Sequence, residues 1–142
     1  MLTSLVLILC CACHETTEES PLYARILNIK ARGDTVPEQA LTALDSLRGD
    51  VMTSGSMHLE RIYELAEIRL RDKADWAFHS DDTIIMLCRY FNRHGSPGEQ
   101  MEAQYYLGRV SREMKNFPQA VEGFLKAIKI GESGAEVELP VL

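Results

Sequence analysis

Few residues in this chain have the type and spacing that chemistry needs. The histidines are His14, His58, His79 and His94. None pairs with a carboxylate or a cysteine at metal-ligand spacing on one helical face. Cys88 and His94 fall on different faces, so they read as a buried thiol and a surface imidazole. Cys11, Cys13 and His14 stand too close together for a zinc site, whose paired ligands are separated by at least two residues. The acids Asp81 and Asp82 open an apolar run and read as helix-capping charge rather than an acid–base pair. A glycine-rich phosphate loop, a nucleophile elbow and a zinc-protease helix are all missing from the sequence. The expectation is therefore a protein that is not an enzyme and that needs no cofactor and no metal.

The cysteines carry more information by position. Cys10, Cys11 and Cys13 lie in the first thirteen residues, and Cys88 stands alone in the remainder. That distribution excludes a disulfide scaffold or a four-cysteine zinc site in the body of the chain. Leu5-Val6-Leu7-Ile8-Leu9 is the apolar centre of a run from Leu2 to Ala12. A membrane span needs roughly 20 apolar residues, and this run is about half that, the length of a secretory h-region. It ends in small residues and cysteine, then turns polar and acidic at His14-Glu15-Thr16-Thr17-Glu18-Glu19. No Lys or Arg precedes it.

The remaining residues must fold around whatever these positions do. The chain has 142 residues, 46% hydrophobic and 25% charged, which is the composition of one ordinary domain. A net charge of −6 argues against a broad phosphate-binding surface, so direct nucleic-acid binding is not expected. Apolar spacing predicts helices throughout, over about Pro21–Ala31, Thr35–Leu47, Met57–Lys73, Asp82–Arg93, Pro97–Lys115 and Phe117–Ile130. Ser20 reads as an N-cap, and Thr35-Val36-Pro37-Glu38 and Ser96-Pro97-Gly98-Glu99 read as capping boxes. Gly49 and Gly131 read as stops, and Thr53–Ser56 as a loop. The run Ile84–Cys88 is apolar nearly all round, so its helix is expected at the centre. No sustained period-two alternation predicts a strand.

The helices repeat. Gln39-Ala40, Leu44 and Leu47 align in one frame with Gln119-Ala120, Phe124 and Ala127. Ile84, Cys88 and Phe91 fit the same frame, and Leu65-Ala66 aligns with Leu107-Gly108. A longer loop near Asp72–Ser80 separates the middle pair. Repeated helix pairs with small residues at fixed positions are the pattern of a helical solenoid.

Leu107, Gly108, Ala120, Phe124 and Ala127 resemble a tetratricopeptide repeat. The resemblance implies an all-α, right-handed tetratricopeptide-like solenoid of three antiparallel helix pairs over residues 21–131. Gly108 and Ala120 would then let paired helices approach, Phe124 would fill the gap, and Ala127 would make room for a following repeat. The leader, with its small residue and cysteine, resembles a bacterial lipoprotein signal over residues 1–13, followed by an acidic tether at 14–20. That implies a lipid on Cys13, with Cys11 as the alternative, and a location at the bacterial cell envelope. Together with Met101–Val110 and Phe117–Val121, the chain is similar to lipid-anchored tetratricopeptide-repeat proteins of Bacteroidales-type bacteria.

That group implies a protein or peptide partner held in a groove and a membrane reached through the lipid. On the family's pattern, the groove positions are Glu60, Tyr63, Glu67 and Arg71 on one helix. Glu102, Tyr105, Arg109, Arg112 and Glu113 are their counterparts on another. Tyrosine and arginine are frequent interface anchors. The basic clamp that some tetratricopeptide proteins use for a peptide carboxylate is missing at these positions. A sensor ectodomain of a longer signalling protein is the second expectation, and part of a nutrient-binding lipoprotein the third. Residues 132–142 are expected to be an uncapped tail, as in a piece cut from a longer stack.

Overall fold

Proline marks the start of three elements. Pro21, Pro37 and Pro97 stand in the first turn of a helix, where an N–H would have no intrahelical acceptor. The computed structural model describes residues 20–135. Among them lie seven helices: α1 (Pro21–Arg32), α2 (Pro37–Asp45), α3 (Arg48–Thr53), α4 (Met57–Lys73), α5 (Asp82–His94), α6 (Pro97–Glu113) and α7 (Phe117–Ala135). No strand occurs among the described residues, so this part of the chain is all-α. The leader and its cysteines, including Cys11 and Cys13, lie outside the described residues, as do residues 136–142 of the tail.

The caps divide into formed and unformed. The Ser96 hydroxyl accepts from Glu99 N at 3.3 Å, and the Glu99 carboxylate accepts from Ser96 N at 2.8 Å, a complete capping box. Thr35 does not cap α2. Its hydroxyl and its N–H both donate back to the Arg32 carbonyl, so Thr35 closes α1, and α2 begins behind Val36 without a side-chain cap. Ser20 precedes α1, and its side chain makes no cap bond there.

One expected stop holds and one is overridden. Helix α2 ends at Asp45, short of Gly49, and a further short helix that the sequence did not predict, α3, starts at Arg48 with Gly49 inside it and Val51 buried. Gly131 sits inside α7, which continues to Ala135. An interior glycine costs a helix only about 1 kcal/mol, and a Cβ on Gly131 would lie 3.2 Å from the Met101 sulfur of α6. The boundary expected at residue 132 therefore falls within a helix.

The centre of the fold is α4, not the helix carrying Ile84–Cys88. Helix α4 packs against α1, α2, α3, α5 and α6. Its buried residues include Leu59, Ile62, Tyr63, Leu65, Ala66 and Leu70, which is more than one face. Helix α5 buries a single stripe of Ile84, Leu87, Cys88 and Phe91, leaving Ile85 and Met86 half-buried. Helices α6 and α7, joined by a three-residue turn at Met114–Asn116, pack along their length. A Cβ on Gly123 would lie 2.8 Å from Gly108 N and 2.9 Å from the Gln104 carbonyl. Two glycines, one on each helix, thus set the approach of the two backbones.

Candidate functional site

Three helices contribute to one open groove of about 710 Å³. Arg69, Asp72 and Lys73 come from α4, Met101, Glu102, Tyr105, Tyr106 and Arg109 from α6, and Ala127, Ile128 and Gly131 from α7. A volume of this order accommodates a few side chains of a partner. Its apolar wall is Met101, Tyr105 and Ile128, each more than a third exposed.

Ion pairs hold the charged wall in place. The Arg69 guanidinium donates to both Asp34 oxygens at 2.8 and 3.0 Å and to Glu102 Oε1 at 3.3 Å. Lys30 Nζ reaches Glu102 Oε2 at 2.6 Å. Arg109 grips Asp72 through Nε at 3.0 Å and Nη2 at 2.9 Å. The Arg69 hydrogen bond holds the Asp34 carboxyl below the usual carboxylate range. Burial opposes the Arg69 charge, and the bond to Asp34 with the nearby Glu102 carboxylate more than offsets it. Burial raises the Tyr106 phenol, so it stays protonated at neutral pH. These contacts fix the guanidinium groups of α4 and α6 as part of the scaffold.

The groove positions expected from sequence do not share one surface. Glu102, Tyr105 and Arg109 line the groove just described. Tyr63, Glu67 and Arg71 line a separate groove of about 410 Å³, with Arg48, Phe78 and Val110. Tyr63 is itself core, 1% exposed, with the Arg48 guanidinium 5.2 Å from its ring centroid. Arg71 lies over Trp76 and Phe78. Glu113 accepts from Phe78 N at 2.9 Å, and Glu60 is half-buried. Arg112 is exposed and lines neither groove. The reason is register: α4 has neighbours on both sides, and the α4 residues that face the α6–α7 groove are Arg69, Asp72 and Lys73, not 63, 67 and 71.

The repeat-packing positions lie at the α6–α7 contact. Gly108, Ala120 and Ala127 are buried, while Leu107 and Phe124 are half-buried. A Cβ on Gly108 would sit 2.6 Å from the Phe124 ring. Gly123, which no motif singled out, supplies the other half of this contact.

A polar cluster invisible to spacing lies elsewhere. His58 Nδ1 is 3.1 Å from the Tyr90 hydroxyl, and its Nε2 is 3.1 Å from Glu99 Oε1. Tyr23 donates to the same Glu99 oxygen at 3.4 Å. The cluster ties α1, α4, α5 and α6 together. None of these four residues lines either groove. Its members stand far apart in sequence, so no local pattern reveals it.

Burial pushes the Cys88 thiol up to about 12, leaving it a poor nucleophile at neutral pH. Among the described residues, no three of His, Cys, Asp and Glu come together in a metal-holding group. Among them, too, no helix is long and apolar enough to cross a membrane.

Compared with known proteins, the chain matches no family model, no curated protein and no solved structure.

Proposed function

We propose that this chain is a non-enzymatic helical-repeat module that binds a protein or peptide and is held at the bacterial envelope by a lipid on Cys13. In this reading α1 with α2, α4 with α5, and α6 with α7 are the three antiparallel pairs of a right-handed tetratricopeptide-like solenoid. The glycine-set approach of α6 and α7 supports the pairing. The observation that carries the functional reading is the α4–α6–α7 groove, where exposed Met101, Tyr105 and Ile128 adjoin fixed ionic groups. An aromatic anchor beside oriented charges is the usual composition of a protein-binding patch. The residue assigned to the partner is Tyr105, with Met101 and Ile128 as the apolar wall beside it and Arg109 held by Asp72 as an oriented charge at its edge.

A photo-activated cross-linking residue at position 105, placed in cells, should give one discrete protein adduct. The same residue at Glu38, which lines neither groove, should not. Equal or absent adducts at the two positions would refute the groove. The anchor is tested separately by labelling with a palmitate analogue, which Cys13→Ala should abolish. Full labelling of that variant would remove Cys13 as the attachment point.

A further inference from the structure

Helix α7 presents an apolar stripe that meets the groove only at Ile128. Phe117, Val121, Leu125 and Ile128 are 60, 56, 61 and 56% exposed. At the helical angle of about 100° per residue they occupy one narrow arc, running about 17 Å along the axis. Side chains of this size are rarely left so exposed in a continuous stripe. The charges beside the stripe indicate what covers it. Glu122 and Lys129 share one flank, two turns apart, and both are exposed; Glu122 accepts from Lys126 of its own helix through Oε1 at 2.6 Å, an exposed pair that a second lysine from another copy can join. When two such helices lie antiparallel, each flank meets its own counterpart, so Glu122 of one copy faces Lys129 of the other, twice over. The same register sets Val121 against Ile128, puts Leu125 at the axis, and places Phe117 near Gly131, where no side chain competes. The stripe is thus self-complementary in the sense a two-fold axis requires. A membrane surface fits less well, because Glu122 and Glu132 interrupt what would have to be a basic rim.

We infer that α7 is a homodimer interface, in which two copies of this chain pack α7 against α7 in antiparallel fashion about an axis near Leu125. The contact is one helix pair and falls at the small end of specific interfaces, so the dimer is reversible and concentration-dependent. Sedimentation velocity of the full chain, from micromolar to near-millimolar protein, tests it. The wild-type chain should pass from monomer to dimer. Leu125→Glu should remain monomeric with an unchanged helical circular dichroism spectrum, since Leu125 is mostly exposed. Glu122→Lys should weaken the dimer about tenfold, and Glu122→Lys with Lys129→Glu should restore it. A wild-type chain that stays monomeric throughout overturns the inference. So does a dimer that survives Leu125→Glu, which would place association elsewhere, for instance at the apolar leader. Failure of the charge swap to restore the dimer overturns the antiparallel arrangement.

Discussion

Cys88 illustrates how one side chain's surroundings decide its chemistry. The residue is 6% exposed, and its thiol donates to the Ala103 carbonyl at 3.3 Å. Burial disfavours the thiolate and pushes the pKa up to about 12. A thiol whose pKa is higher folded than unfolded stabilises the fold fully below the unfolded pKa, about 8.5. That contribution is lost as the pH rises toward the folded value. Urea titrations between neutral pH and pH 11 should therefore show a falling midpoint that Cys88→Ala flattens. Alkylation mapped by mass spectrometry should label Cys88 far more slowly in native protein than in urea. Equal rates in the two states would mean that the thiol is not enclosed. His58 makes the complementary point. Its sequence neighbourhood says nothing of Tyr90 or Glu99, because both partners arrive from other helices.

At the scale of elements, the α6–α7 contact depends on having no side chain at two places. Gly123→Ala would thrust a methyl to within 2.8 Å of Gly108 N, against backbone that cannot turn aside. The expected cost is about 1–3 kcal/mol, read as a lower urea midpoint with the same helical content. An unchanged midpoint would show that the helices are free to separate. The sequence discloses helix existence well. Periodic apolar residues and prolines at first turns give all the long helices, and Ser96 with Glu99 gives a complete capping box. It discloses centrality poorly. Helix α4 carries many charges, so it looks less apolar than α5, yet those charges are spent on ion pairs at its edges while its aliphatic residues face neighbours on several sides. It discloses the groove only in part. Tyr105 and Arg109 line the groove between α4, α6 and α7, whereas Tyr63, Glu67 and Arg71 lie on another side of α4. A repeat frame fixes positions along a helix, but the rotation of α4 is set by packing against five other helices. Gly123 was legible in principle, because it lies one turn from Ala120 and Ala127 on the same buried face.

The described residues are tied together from the first helix to the sixth. Linear repeat stacks contact only their immediate neighbours. Here Lys30 and Tyr23 of α1 reach Glu102 and Glu99 of α6, so the proposed stack is closed more tightly than a strictly linear one. Glu102 also holds Arg69, so one carboxylate serves two half-buried cations. Glu102→Ala should cost about 1–3 kcal/mol. Hydrogen exchange should then accelerate in α1 more than in α7. Uniform acceleration across all helices would show that Glu102 does not specifically fasten α1.

The same long-range tie bears on how the chain is made. Lys30 and Glu102 are 72 residues apart. Synthesis at about 5–20 residues per second puts about 4–14 s between them. For that interval the first helix has left the ribosome without its partner from the sixth, so the domain cannot be finished pair by pair as it emerges.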